Sequence, residues 1–144
     1  MVDENNKQLT NTEIYNQVFT FLIAGHETTS LTACWTLFLL AKHPNIQQEV
    51  KEEIDEILDG SDHEICWEDL DKLKLLDNCI KESMRLYPVA ITTDRTAVGA
   101  DKLGPYCIPA GTHVMIGLGS LHRLGSYWKD PDEFDPHRFD KKGD

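Results

Sequence analysis

The stretch that decides the fold runs from Asn11 to Lys42 and reads NTEIYNQVFTFLIAGHETTSLTACWTLFLLAK. It contains no proline, and Thr10-Asn11-Thr12-Glu13 has the pattern of a capping box, which predicts that a helix begins here. Apolar residues point in every direction around the predicted helix, and this is the pattern of a helix buried on all sides. A helix at about 11–42 forms a rod of roughly 45–50 Å.

The length of this rod conflicts with the size of the chain. A compact body of 144 residues has a radius of gyration of about 15 Å and therefore a diameter of roughly 37 Å. A fully buried rod cannot be longer than the body that buries it. We therefore expect the chain to be a piece of a larger protein.

The rest of the chain predicts a mainly α fold with a small β-sheet. Proline, glycine and apolar spacing separate the further elements. These are a second helix at about 44–58, a turn at 59–62, a helical turn near 67–70 and a third helix at about 75–86. Three short strands follow within about 92–116, at 92–98, 106–108 and 112–116, and the tail over 119–144 is irregular.

Composition and charge exclude several classes of protein. The chain is 40% hydrophobic and 27% charged, which is ordinary for a globular domain. Its net charge of −11 argues against binding to nucleic acid or to an anionic membrane surface. Cys34, Cys66, Cys79 and Cys107 form no C-x-x-C pair, and this favours reduced thiols over a disulfide framework.

The sequence also predicts neither a signal peptide nor a transmembrane segment. Its start is polar and lacks the apolar region of a signal peptide. Polar residues from His26 to Ser30 interrupt the most apolar run at its centre, where a membrane would tolerate them least.

The motif Ala24-Gly25-His26-Glu27-Thr28-Thr29 lies in the middle of the predicted helix. A carboxylate and hydroxyls are costly to bury, and a glycine weakens a helix by about 1 kcal/mol. A groove against a flat ligand would compensate for both costs, although threonines that bond to the carbonyl one turn back would also explain the hydroxyls. A zinc protease is excluded because Ser30 stands where its second histidine is required.

Glu82-x-x-Arg85 in the third predicted helix places two opposite charges on one face. Taken alone, such a pair is an ordinary surface ion pair worth about 0–1 kcal/mol. Arg95 and Arg138 are likewise ordinary charged residues when each is considered separately.

The order of these motifs resembles the cytochromes P450, a family of haem-thiolate monooxygenases. The helix motif is followed by Glu-x-x-Arg and Leu-Tyr-Pro, an arginine in a strand, His122-Arg123, and Pro-x-Arg-Phe at 136–139. The resemblance implies that residues 1–144 form a partial cytochrome P450 fold. It would consist of the long central I helix, the J and K helices, short strands and a meander-like tail.

The resemblance also implies a role for each residue of the helix motif. Ala24 and Gly25 would let the porphyrin approach the backbone. Glu27 and Thr28 would be the catalytic acid and alcohol, because splitting the O–O bond requires protons delivered in a site that excludes bulk water.

Further residues receive roles from the same resemblance. Glu82, Arg85 and Arg138 would form a structural charge network, since one carboxylate can pair with two guanidinium groups. Arg95 would pair with a haem propionate. The positions that would face the substrate are Phe21, Val89, Ala90, Ile91 and Thr92.

Two departures from the family pattern stand out. His137 replaces the glutamate that is frequent in Pro-Glu-Arg-Phe. None of the four cysteines has the family's Phe-x-x-Gly-x-x-x-Cys-x-Gly context, so no metal ligand is expected in this chain, and the cysteine that binds haem iron would lie beyond Asp144.

The implied parent is an enzyme that inserts one oxygen atom of O₂ into a small apolar organic substrate. It would use haem b and electrons from NADPH through a reductase partner. It would be anchored in the endoplasmic-reticulum membrane with its domain facing the cytosol, whereas the piece itself would be of soluble type. The isolated chain is expected to be inactive, and the alternative is a truncated pseudoenzyme or interaction module without catalysis.

Overall fold

The computed structural model describes residues 8–59 and 65–140, so most of the turn predicted at 59–62 lies outside the described residues. The helices are α1 (Asn11–Lys42), α2 (Pro44–Leu58), α3 (Trp67–Leu70), α4 (Lys74–Leu86) and α5 (Leu118–Leu121), followed by a 3₁₀ segment (Pro136–Phe139). The strands are β1 (Thr92–Thr96), β2 (Asp101–Leu103), β3 (Tyr106–Ile108) and β4 (His113–Gly117). The predicted class, mainly α with a small β component, is confirmed.

The predicted capping box at the start of α1 is also confirmed. The Thr10 hydroxyl accepts a hydrogen bond from the backbone N–H of Glu13 at 3.3 Å, and Glu13 Oε2 accepts one from the Thr10 N–H at 2.8 Å. At the other end, His43 precedes Pro44, which disfavours helical backbone at His43 and so ends α1 at Lys42.

The expectation that α1 is buried on all sides is wrong for this chain. Of its residues only Thr36, Leu39 and Leu40 are buried, while Phe21 is 72% exposed. The physical reason is that α2 and α4 pack against the carboxyl-terminal part of the rod, and the other described residues supply no surface long enough to cover the rest.

The core is small and is centred on α4. Leu39 and Leu40 of α1 pack there with Val50 of α2, and the other buried members are Cys79, Leu86 and Phe134. Phe134 belongs to the tail, so α4 is enclosed by two helices on one side and by the tail on another.

A carboxylate from α2 fixes the start of α4. Leu73 at the N-cap of α4 has no side chain that could cap the helix. Instead, the two oxygens of Glu53 accept hydrogen bonds from the N–H groups of Leu75 and Leu76, at 2.7 and 3.0 Å. The first turn of α4 thereby receives acceptors for two donors that have no partner within the helix.

The strands form two separate antiparallel pairs, β1 with β4 and β2 with β3. The sequence did not predict β2, because Asp-Lys-Leu has none of the β-branched and aromatic residues that favour strands. It becomes a strand by pairing with β3 around Gly104, which adopts the left-handed conformation (φ +57°) that the turn requires.

Candidate functional site

An open, mostly apolar cleft of about 820 Å³ lies between α1 and α4. The segment that follows α4 also contributes to its wall. The lining residues are Thr28, Thr29, Thr32, Ala33, Thr36, Leu37 and Leu40 from α1, Leu76, Ile80 and Met84 from α4, and Pro88, Val89, Ala90 and His122 from the connecting segments.

Three threonines of α1 stand one helical turn apart along the cleft. Thr28 Oγ1 donates to the carbonyl of Ala24 at 2.7 Å, and Thr32 and Thr36 each donate to the carbonyl one turn back at 2.9 Å. This is the back-bonding that the sequence left open as an explanation for the hydroxyls. Each oxygen keeps its lone pairs, so the threonines present acceptors beside an apolar surface.

The first four residues of the helix motif, Ala24 to Glu27, do not line the cleft. Ala24, Gly25 and Glu27 are exposed on α1, so the cost of burying a carboxylate does not arise for Glu27 in this chain. A Cβ atom added at Gly25 would meet nothing within 4 Å. The described residues therefore give no packing reason for a glycine in the middle of this helix.

The residues predicted to face a substrate are only partly brought together. Val89 and Ala90 line the cleft with Thr28, but Phe21, Ile91 and Thr92 do not. Arg95 lies in β1, where its guanidinium donates to the carbonyl of Asp94 at 2.7 Å.

The structure brings Glu82, Arg85 and Arg138 together in one buried cluster. Arg85 donates from Nε to Glu82 Oε2 at 2.7 Å and from Nη2 to Oε1 at 2.8 Å, which is a bidentate pair. Arg138 Nε and the backbone N–H of Asp135 also donate to Oε1, at 2.9 and 3.0 Å. The Glu82 carboxylate is fully buried and accepts four hydrogen bonds, so both charged partners are needed to compensate its desolvation.

The two arginines extend this cluster into the tail. Arg85 Nη1 donates to the carbonyls of His122 and Pro131, each at 2.7 Å, and Arg138 Nη1 donates to that of Lys129 at 2.9 Å. The guanidinium of Arg85 also lies 5.1 Å from the centre of the Trp128 ring. Because the backbone between 122 and 133 is largely irregular, these contacts determine its path.

Sequence reasoning missed these carbonyl acceptors, and it gave Arg123 no structural role. Arg123 Nη2 donates to the carbonyl of Leu86, the last residue of α4, at 2.7 Å. A basic residue is a common partner for the free carbonyls at the end of a helix. The sequence, however, does not indicate which of the tail's arginines reaches α4.

The described residues contain no set of three or more His, Cys, Asp or Glu side chains that could hold a metal ion. None of the four cysteines lines the cleft. Cys34 and Cys107 are exposed, and burial, followed by the charge of Glu53, raises the pKa of Cys79 to about 12, which keeps it a neutral thiol. No helix in the described part of the chain has the length and apolarity that a membrane crossing requires.

Comparison with solved structures shows which class of protein has this fold. A haem-domain mutant of cytochrome P450DA matches with a TM-score of 0.86 and 33% identity, over 96% of this chain and 31% of that one. A zebra fish cytochrome P450 with progesterone matches with a TM-score of 0.77 and 36% identity, over 83% of this chain and 28% of that one.

The sequence comparisons agree with this class. The cytochrome P450 family model matches residues 1–144, so the chain belongs to the cytochrome P450 family. Cytochrome P450 4F5 of Rattus norvegicus is 40% identical over 143 residues, and leukotriene-B4 omega-hydroxylase 3 of Mus musculus is 39% identical over 141 residues. The chain spans about a quarter of the length of these relatives, 27% of each.

Proposed function

We propose that this chain is the oxygen-handling part of a haem-dependent monooxygenase, which inserts one atom of O₂ into an apolar organic substrate. The observation that carries the proposal is the position of Thr28, which lines an apolar cleft together with Val89 and Ala90. The family supports the reaction class, with electrons from NADPH supplied through a reductase partner. The proposed site of the parent is the endoplasmic-reticulum membrane.

We propose that residues of α1 would hold a haem. The cleft has a volume in the range of ligand pockets, about 300–1,000 Å³. Gly25 leaves the backbone bare on a helix that would be more stable with a side chain there. We assign contacts with haem b to Ala24, Gly25 and Arg95. When bound, haem supplies the iron that binds O₂ and accepts electrons.

Thr28 and Glu27 are the proposed catalytic residues. The Thr28 hydroxyl can release the carbonyl of Ala24 by rotation about one bond and donate its proton into the cleft instead. Glu27, the preceding residue, is exposed to solvent, so it is the proposed link between bulk water and Thr28. Together they would move a proton from water to the cleft without admitting bulk water to its apolar wall.

The proposed role of Glu82, Arg85 and Arg138 is structural, and they are positioning residues. They hold the tail against α4 through the buried carboxylate of Glu82. We assign them no part in proton transfer. The thiolate that would hold the haem iron is proposed to come from residues outside 1–144, because no described cysteine lines the cleft. The chain alone is therefore proposed to be inactive.

Relatives support a substrate with a large hydrocarbon part. The zebra fish structure holds progesterone, and the mouse relative is named for leukotriene B4. Both molecules are largely hydrocarbon, in agreement with the apolar cleft wall. We therefore propose that the substrate is a small apolar organic compound with a large hydrocarbon part. Phe21, Ile91 and Thr92 remain proposed substrate contacts with Val89 and Ala90.

One observation favours a second candidate, an interaction module without catalysis. The amino-terminal part of α1 exposes Val18, Phe21 and Leu22 in this chain. An exposed apolar face of this size would be covered by other protein. Haem binding distinguishes the two candidates, because an interaction module has no need for the bare backbone at Gly25.

Replacing Gly25 with leucine tests the haem face directly. In the haem-free protein we expect the Gly25→Leu variant to be at least as stable as the natural one, because leucine favours a helix and has open space here. In the intact protein the added side chain should overpack the haem face and lower haem affinity about tenfold or more. Haem titration followed by absorbance measures this.

The matched control is Ser30→Ala on the same helix, whose hydroxyl only bonds to carbonyls of α1. It should leave haem affinity unchanged. Equal haem affinity in the Gly25→Leu variant and the natural protein would contradict the proposed haem face.

A further inference from the structure

His137 connects two acidic residues on different parts of the fold. Its Nδ1 lies 2.9 Å from Asp140 Oδ2, and its Nε2 lies 3.3 Å from Glu49 Oε2. Glu49 belongs to α2, whereas His137 and Asp140 belong to the 3₁₀ segment and its end. A single imidazole ring thus lies between two carboxylates, with one at each nitrogen.

The protonation state of the ring decides whether it can serve both carboxylates. A neutral imidazole has one N–H donor and one acceptor nitrogen, whereas the imidazolium has two donors. Two ionised carboxylates facing the two nitrogens can both be satisfied only by the imidazolium. The neutral ring would turn a lone pair towards one of them, which is repulsive.

We propose that His137 is a proton-controlled clasp, which joins α2 to the 3₁₀ segment when protonated and releases Glu49 when it loses its proton. Asp140 remains the partner of the neutral ring, because it is the closer carboxylate and comes from the same segment. Glu49 is the partner that is lost, since it is held only by the second N–H.

Neighbouring hydrogen bonds fix the positions of His137 and Asp140. The other oxygen of Asp140 accepts a hydrogen bond from Asn78 Nδ2 of α4 at 2.7 Å. The backbone N–H of His137 donates to Asp135 Oδ1 at 3.1 Å. Asp140 is therefore anchored on α4, and the ring that it orients points towards α2.

The three carboxylates around the ring favour its protonated form. The hydrogen bond to Asp140 raises the pKa of His137, partial burial lowers it, and the charges of Asp140, Glu49 and Asp135 raise it. The adjacent Arg138 is occupied by Glu82. Cys79, close to Glu49, is a neutral thiol in this range because burial raises its pKa to about 12.

The sign of the pH dependence follows from the raised pKa. The contribution of the clasp is fully present below the ordinary pKa of histidine, about 6.5, and is lost as the pH rises through the higher pKa of the folded protein.

Loss of the contact between His137 and Glu49 also affects the buried cluster of Glu82, Arg85 and Arg138, because Arg138 is the residue after His137. Arg138 follows His137 in the same 3₁₀ segment and donates to the buried Glu82. Releasing Glu49 removes one of the contacts that hold this segment, and the segment that carries Arg138 becomes easier to detach. The effect is modest, because His137 and Glu49 are each nearly half exposed and water screens the pair.

Histidine-specific NMR of the intact protein tests the clasp, with the His137 signal assigned by its loss in a His137→Asn variant. We expect the pKa of His137 to lie above that of an exposed histidine and to fall in both the Glu49→Gln and the Asp140→Asn variants. Glu52→Gln is the matched control, because Glu52 lies on the same helix and accepts from Gln48 instead. The Glu52→Gln variant should have the same His137 pKa as the natural protein.

Denaturant unfolding at several pH values gives an independent readout. Near pH 6 the Glu49→Gln variant should show an unfolding equilibrium constant about two- to fivefold larger than the natural protein, and near pH 9 the difference should vanish. A His137 pKa that is the same with and without Glu49, or a stability difference that does not depend on pH, would overturn the proposal.

Discussion

Replacing Glu82 with alanine should lower the free energy of unfolding by about 3–5 kcal/mol, because it leaves two guanidinium groups without their carboxylate. Arg85 is 2% exposed and has no access to water that could solvate it in place of Glu82. The tail loses its attachment to α4 at the same time, since Asp135 and Arg138 both donate to this carboxylate. Urea unfolding of the intact protein measures the change.

An exposed ion pair on the same helix provides the control. Asp77 pairs with Lys81 on the solvent side of α4, so Asp77→Ala should change the free energy of unfolding by only about 0–1 kcal/mol. If Glu82→Ala prevents folding altogether, Arg138→Lys is the milder variant to measure. It should lower the free energy of unfolding by less, because lysine keeps the positive charge but lacks the planar guanidinium group. Equal effects of Glu82→Ala and Asp77→Ala would contradict a buried, essential carboxylate.

Replacing Thr28 with valine should lower the rate of product formation by about 10²–10⁴-fold, the range that a positioned acid or base contributes. Valine keeps the shape of threonine but lacks the hydroxyl. Thr28→Ser should retain most of the rate, because it keeps the hydroxyl. Turnover in the presence of NADPH and a reductase, normalised to haem content, measures the effect.

Thr32 is a closely matched control for this substitution. It lies one turn along α1, lines the same cleft and donates to a carbonyl one turn back at 2.9 Å, as Thr28 does at 2.7 Å. Thr32→Val therefore repeats every structural change of Thr28→Val except the position of the hydroxyl. Similar losses of rate in both variants would show that the back-bonding, rather than proton transfer at position 28, is what matters.

Local signals in the sequence predicted the helices well, because their causes are local. The capping box at Thr10 and Pro44, the single proline that separates α1 from α2, are local features that fix where these helices begin and end. By contrast, the carboxylate of Glu53 that caps α4 comes from 22 residues earlier in the chain. Nothing in the sequence near Leu75 indicates it.

In the candidate site, too, local contacts were predictable from the sequence and distant ones were not. The spacing of Glu82 and Arg85 predicts a pair on one helical face, but the third member, Arg138, lies 56 residues away from Glu82 and followed only from the resemblance to a family. Carbonyl acceptors in an irregular tail have no sequence signature, because every residue carries one. Burial of α1 was predicted wrongly since periodicity reports which residues are apolar, not what covers them.

The clearest test of the proposed function is the reduced carbon-monoxide difference spectrum, recorded for the full-length protein and for residues 1–144 supplied with haem. The full-length protein should give the red-shifted Soret band of thiolate-ligated haem, because we propose that α1 forms part of the haem site. Residues 1–144 alone should not, because none of their four cysteines lines the cleft. A red-shifted band from residues 1–144 alone, or its absence from the full-length protein, would contradict this division of the site.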